Sequence, residues 1–394
     1  MRNRSLGLTL VAGLAIFVAA CSSGGASKSP AASTAPSTAP STAPSVAPST
    51  PPSSVAPTSD LKIGVVTDIG TLDDKNYNEY TYKGVQAGAA AIGAANPPAV
   101  VPKDASEYAA KIDAYVKQGF NVIVTVGFNL AGATTAAAHA NPNIWFIGVD
   151  QSPICVDETG APDPTFGCKG KAADLLPKYI SINFQEDQSG YLAGIIAASN
   201  SKNGVIGAIG GTSLCGPCVR YIQGYELGAK SINPAIKVVS AYVTNDFSNA
   251  AFNDPVGGKK FAQTFIQTNK PDVLFQVAGK TGNGVLDAAC EAGLYGVGVD
   301  VDQALSYPSA AKCLLTSAEK HLQIATGTVI QLIAANGAKG GDLLFDAKTQ
   351  GIGASPGHDL AALITPDIQA KVDAAMAAMI TGTLVTCPTK CGSL

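Results

Sequence analysis

The stretch "TDIGTLDDKNYNEY", residues 67 to 80, sets Asp68, Asp73 and Asp74 beside Asn76, Tyr77, Asn78 and Tyr80, directly after the apolar run "LKIGVV". An ionised carboxylate only accepts hydrogen bonds, an amide both donates and accepts, and an aromatic ring offers a flat apolar face. Together these groups suit a small hydroxyl-bearing ligand with a planar part. The same residue types also start helices, because Asp and Asn cap first turns and acidic groups favour the positive end of the helix dipole. Capping accounts for one or two of these acids and leaves the others to be explained. Similar residues follow other apolar runs: "GF" at 127 and 128, "GVD" at 148 to 150, "AGKTGNG" at 278 to 284 and "GVD" at 298 to 300. Asp68, Asp150 and Asp300 therefore recur as one residue type at one kind of place, the end of a strand.

Several catalytic patterns fail on single residues. "GKT" at 279 to 281 lacks the glycine that a phosphate-cradling loop needs at 274, where Leu274 stands. "GGTSLCG" has Cys215 where a nucleophile elbow needs glycine. His139, His321 and His358 lie on separate segments with no H-E-x-x-H, and "DVDQAL" at 300 to 305 lacks the glycine and glutamate of a calcium loop, so no metal or other cofactor is expected. "CGPC", Cys215 to Cys218, is similar to the redox motif of thioredoxins and opens the alternative of an extracytoplasmic thiol-disulfide oxidoreductase. It lies in mid-lobe between a glycine-rich turn and a helix, in a chain with other closely spaced cysteines. A structural bridge is the preferred reading, and no enzyme activity is expected.

The elements that must position the aspartates alternate regularly. Apolar runs "KIGVV", "PAVV", "NVIVTV" and "IWFIGVD" are separated by helical patterns near 76–92, 105–118 and 130–139. After a loop at 151–178, the runs "KYISINF", "GVIGAIG", "IKVVSAYV", "PDVLFQVAG" and "YGVGVD" alternate with helices at 185–200, 219–232, 256–267 and 282–291. Such alternation predicts βαβ units, and hence an α/β fold of two doubly wound parallel-sheet lobes with ligand groups at the strand ends facing an interlobe cleft.

Of the 394 residues 14% are charged, with a formal net charge of −3, and no basic run follows the first residues, so nucleic acid is excluded as a partner. Arg2 and Arg4 precede an apolar run from Leu6 to Ala20, short for a membrane span and suited to a signal peptide over 1–20. Residues 22 to 60 repeat "STAP" without an aromatic residue, a composition that predicts a disordered, proline-stiffened stalk. Nine cysteines less Cys21 leave eight, an even number that in an exported chain implies disulfides. Sequence does not choose among the many pairings; pairing of neighbours, Cys155 with Cys168, Cys215 with Cys218, Cys290 with Cys313 and Cys387 with Cys391, is the expectation.

Two resemblances extend this reading. "VAAC", Val18 to Cys21, resembles the lipobox of bacterial lipoproteins, which implies lipidation of Cys21 and an anchor on the extracytoplasmic side of the cell membrane. "KIGVVTDIGTLDDKNYNEYTYKGVQAG", "IVTVGFNLAGATTAAAHANPNIWFIGVDQ", "GYLAGIIAA", "FNDPVGGKKFAQTFIQTNKPDVLFQVAGKTGNGV" and "GVDVDQ" followed by "LLTSAEKHL" together resemble the basic membrane protein family of substrate-binding lipoproteins of ABC transporters. That family implies a type I periplasmic-binding-protein fold with a three-segment hinge. The lobes would be 61–182 plus about 318–342 and 183–317 plus about 343–394. It also implies a monomer that binds a purine nucleoside and delivers it to an ABC permease. Carried over onto matching motifs, the implied ligand-binding residues are Asp68, Tyr77, Asn78, Asp150, Phe252, Gly279, Asp300 and Lys320. Tyr77 stands where the family usually has phenylalanine, which keeps the ring and adds a hydroxyl needing a partner. The 151–178 loop and "CGPC" depart from the family pattern and are read as insertions at the cleft rim. Rings of Tyr77 and Phe252, one from each lobe, would clamp a base, and the acids would take ribose hydroxyls. Another small solute such as a sugar, or a signalling or adhesive role on the same fold, stands as the alternative.

Overall fold

The computed structural model describes residues 59 to 387. Cys21, the signal segment, most of the stalk and Cys391 lie outside them. The apolar runs form strands β1 (Ile63–Thr67), β2 (Ala99–Val100), β3 (Val122–Val126), β4 (Trp145–Val149), β5 (Tyr179–Phe184), β6 (Val205–Thr212), β7 (Lys237–Thr244), β8 (Val273–Val277), β9 (Tyr295–Asp300), β10 (Leu314–Lys320), β11 (Gly341–Phe345) and β12 (Ile352–Ala354). They make two six-stranded sheets, ordered β11-β5-β4-β3-β1-β2 and β12-β10-β9-β8-β6-β7. Every pairing is parallel except that of β12 with β10. Parallel sheets bury both faces, and successive side chains of one strand enter separate cores. Val65, Val124 and Ile147 pack on one side of the first sheet, and Val66, Ile123 and Phe146 on the other.

In each sheet the strand order reverses once, between β1 and β3 and between β6 and β8. Crevices at such reversals, beyond the carboxyl ends of the strands, are where open α/β sheets hold ligands. The segments after β1, β3, β6 and β8 are therefore the ones placed to meet a ligand.

The chain passes between the lobes three times, and each crossing lies a few residues beyond the expected boundary. β5 stays in the first sheet through Phe184, so the first crossing is at 185–186 rather than 182–183. β10 stays in the second sheet through Lys320, which moves the second crossing from 317–318 to His321. β11 pairs with β5 along its whole length, from Gly341 with Ile180 to Phe345 with Phe184, so the third crossing falls at 346–351 and not within the strand. In each case the ladder of backbone hydrogen bonds keeps the strand intact to its last residue.

Helices beside the crossings fix the lobes. Helix Glu186–Asn200 packs on Gly216–Ile232 in the second lobe, and Leu322–Ala334 packs on Tyr77–Ala91 in the first. The first of these contacts is backbone-close: a Cβ on Gly224 would lie 2.0 Å from the Asp187 carbonyl oxygen. Bridges join Cys155 to Cys168, Cys215 to Cys218 and Cys290 to Cys313, while the expected Cys387–Cys391 pair reaches outside the described residues. The 151–178 loop buries Val156 and Leu176 in the outer core of the first lobe, beside Tyr179. It lines no part of the central cavity, contrary to the expectation of a cleft-rim insertion.

Candidate functional site

All eight residues carried over from the sequence line one interlobe cavity of about 580 Å³, its mouth included. The three aspartates of the opening stretch divide the work. Asp74 is the cap: its carboxylate accepts from the backbone N–H of Asn76 (2.9 Å), Asn78 (2.9 Å) and Glu79 (3.1 Å), where helix Tyr77–Ala91 begins. Asp73 is exposed and pairs at 3.1 Å with Lys280 of the second lobe. Asp68 faces the cavity, its carboxylate lying over Gly127; a Cβ there would fall 2.0 Å from Asp68 Oδ2, and φ at Gly127 is +106°. Burial pushes the Asp68 carboxyl up to about 7, against the backbone N–H groups of Ile69 and Asn129, which favour its charge.

Asp150 and Asp300 end the two "GVD" strands in the same left-handed backbone conformation, with φ of 55° and 63°. Lys320, at the end of β10 and 3% exposed, joins them. Its ammonium bonds to Asp150 and lies 3.5 Å from Glu186 and 3.6 Å from Asp300. Three acids around one ammonium raise the lysine's affinity for its proton against the opposing effect of burial. Burial raises the Asp150 carboxyl to about 6, with Lys320 opposing it, and raises Asp300 likewise. Glu186, fully buried at the start of its helix, also accepts from Arg220 Nε at 2.6 Å. Burial alone would raise Glu186, but Arg220 and Lys320 hold it below the usual carboxylate range.

Tyr77 resolves its extra hydroxyl by donating to the Val149 carbonyl oxygen at 3.1 Å, and its ring lies 4.9 Å from the Lys320 ammonium. Asn78 Nδ2 donates to the Ile69 carbonyl oxygen at 3.1 Å. Asn78 Oδ1 and Asp150 Oδ1 are buried at the cavity and find no hydrogen-bond partner among the described residues. Phe252, after β7, packs over Gly279, whose φ of +52° begins helix Gly279–Glu291; a Cβ there would lie 3.3 Å from the Phe252 carbonyl oxygen. Across the cleft Phe252 also meets Phe128, 6.3 Å away edge to face, and Tyr77, Phe128 and Phe252 all line the cavity.

Outside the set carried over, Phe128 and Tyr221 also line the cavity, and Glu186 and Arg220 support it from behind, Glu186 beside Lys320 and Arg220 bonded to Glu186. Tyr221 donates to Asp300 at 3.1 Å. The "GF" at 127 and 128 had marked Phe128 as a strand-end residue, whereas Glu186, Arg220 and Tyr221 carry no local signal, because their roles arise from helices that meet only after the chain has crossed between lobes. Cys215, Pro217 and Cys218 also line the cavity.

The lobes touch around this cavity. Lys280 reaches Thr71 at 3.1 Å, Asn283 donates to the Asp74 carbonyl oxygen at 3.0 Å, and Ser306 donates to the Lys75 carbonyl oxygen at 2.7 Å. The four acids Asp68, Asp150, Asp300 and Glu186 outnumber the two bases Lys320 and Arg220, and ring faces complete the wall.

Such a cavity between two doubly wound lobes is the architecture of solute-binding proteins with a type I periplasmic-binding-protein fold. The solute-binding protein from Aeropyrum pernix K1 superposes with a TM-score of 0.69 at 21% identity, covering 84% of this chain and 94% of that one. The corresponding protein from Conexibacter woesei DSM 14684 gives 0.60 at 20% identity, covering 82% and 98%. The match of residues 61–381 to the family described as "ABC transporter substrate-binding protein PnrA-like" identifies the chain as a member of that family. Among its curated relatives, Basic membrane protein A of Borreliella burgdorferi is 28% identical over 301 residues, 74% of this chain and 78% of that protein. The "ABC transporter nucleoside-binding protein BmpA" of Lactococcus lactis subsp. cremoris is 30% identical over 234 residues, and the match spans 59% of each. No helix among the described residues is long and apolar enough to cross a membrane.

Proposed function

We propose that this protein is a lipid-anchored extracytoplasmic receptor that binds a purine nucleoside between its lobes and delivers it to an ABC permease. The observation that carries the reading is the composition of the cavity. Aromatic rings line it from both lobes, Tyr77 and Phe128 from one and Phe252 from the other, while carboxylates of Asp68, Asp150 and Asp300 converge from three strand ends. A planar base stacking on the face of one of these rings gains about 1 to 3 kcal/mol. Ribose supplies hydroxyl donors to acceptor-only carboxylates, and the unpartnered Asn78 Oδ1 adds an acceptor for a base N–H. Because acids outnumber bases, a phosphate is repelled, which selects nucleosides over nucleotides. The nucleoside-binding relative supports this reading. Cys21 would supply the anchor, and closure of the lobes on the ligand the signal to the permease.

Thermal unfolding of the purified protein with inosine, guanosine, adenosine, their bases, their monophosphates, ribose and common hexoses tests the proposal, since a solute raises the midpoint only if it favours the native state. Purine nucleosides should raise it and the monophosphates should not. A rise with ribose or a hexose alone would sink the nucleoside assignment.

A further inference from the structure

The Cys215–Cys218 bridge follows β6 in the second sheet, at the strand-order reversal corresponding to the one where Asp68 follows β1 in the first. Both cysteines line the cavity, with Cys215 2% and Cys218 6% exposed. Cys215 also caps helix Gly216–Ile232, its sulfur accepting from the Cys218 N–H at 3.2 Å. One turn later the same helix presents Arg220 to Glu186 and Tyr221 to Asp300, the two acids grouped with Asp150 around Lys320. The bridge thus touches the ligand space and also fixes the turn from which two positioning side chains depart.

We propose that the Cys215–Cys218 disulfide is a specificity-determining wall of the ligand site, a polarizable surface against which an aromatic heterocycle packs, and not a redox catalyst. Divalent sulfur makes favourable contacts with aromatic rings, often at the ring edge, so the bridge favours the base of the ligand, the part that carries the ring. A protein thiol substrate would have to enter the closed cleft to meet either sulfur, whereas a small planar ligand already belongs there. The inference rests on the nucleoside reading and adds to it which surface discriminates the heterocycle.

Ligand and bridge should protect each other. With dithiothreitol, one thiolate attacks a sulfur of the bridge to give a mixed disulfide. The second reagent thiolate then displaces the remaining cysteine, yielding cyclic oxidised reagent and two protein thiols. Alkylation of the newly formed thiols followed by peptide mapping gives the reduction rate of each bridge in the intact protein. Saturating inosine should slow reduction of Cys215–Cys218 at least several-fold and leave the Cys155–Cys168 bridge, outside the cavity, at its original rate. The Cys215→Ser/Cys218→Ser double variant should bind purine nucleosides about two- to tenfold more weakly and compress the preference among bases, while competition by ribose stays as in the wild type. Inosine that raises the unfolding midpoint yet leaves the bridge equally reducible would overturn the inference and spare the nucleoside reading. Should only a hexose raise the midpoint, the nucleoside reading fails, and the wall proposal, which needs a heterocycle, fails with it. A solute panel with no response at all overturns both.

Discussion

Asp68 makes a pH-dependent prediction whose sign is fixed by its surroundings. Its folded pKa of about 7 lies above its ordinary value of 3.8, so folding favours the neutral acid. That contribution to stability is complete below pH 3.8 and is lost as the pH rises through 7. Ribose hydroxyls favour the ionised acceptor, so nucleoside affinity should climb between pH 5 and 8, by up to about tenfold per pH unit for one group. Titration calorimetry across that range checks it, and Asp68→Asn should flatten the profile. Phe252→Ala should weaken binding roughly ten- to a hundredfold by removing one stack, and Asp300→Ala by a similar factor through loss of a charged acceptor; unchanged affinity in both would refute the site. Lys320→Met leaves Asp150 and Asp300 without their ammonium and should cost about 3 to 5 kcal/mol of stability in denaturant unfolding. At this scale the site was largely legible: residues at strand ends stay at strand ends whatever the lobes do. The partners were not, because Glu186, Arg220 and Tyr221 meet the site only through tertiary packing, and the contact of Phe128 with Phe252 depends on how one loop after β3 faces another lobe.

Helix–helix contacts decide whether Arg220 and Tyr221 reach their acids. Helices Glu186–Asn200 and Gly216–Ile232 approach backbone to backbone, with Gly224 against the Asp187 carbonyl. Gly224→Ala must therefore push the helices apart, and we expect a loss of about 1 to 3 kcal/mol in stability together with weaker nucleoside binding, both read from chemical unfolding with and without ligand. Control substitution at the half-buried Gly204, where a Cβ meets nothing within 4 Å although φ is +74°, should alter stability only and leave affinity alone. Strand and helix alternation through β9 was plain in the sequence because buried parallel strands read as unbroken apolar runs. Helix starts were less so: Gly216–Ile232 begins three residues before the expected Val219 because Cys215 and Pro217 form its cap. Helix Gly279–Glu291 begins before the expected Gly282 because its glycines admit close neighbours, Gly284 lying against the Pro255 carbonyl. β11 alternates between exposed and half-buried residues and β12 has three residues, too little pattern to mark either strand without the sheet that receives it.

The whole molecule is two sheets stitched by three passages of one chain, with polar contacts between the lobes at Lys280, Asn283 and Ser306. Lys280 and Asp73 form a partly exposed pair, so salt should loosen the shut arrangement. X-ray scattering should record a larger radius of gyration for Lys280→Ala than for the wild type at low ionic strength, and saturating nucleoside should reduce the difference. The passages also set an order of assembly. β11 completes the first sheet beside β5 but is encoded only after β10 of the second. A chain emerging from its amino end therefore presents β5 as a raw border, able to recruit any passing strand, until nearly the whole second sheet has appeared. Efficient maturation then calls for holding the nascent polypeptide unfolded until its tail is available, and shortening it before Gly341 should yield aggregates in place of a smaller, working half.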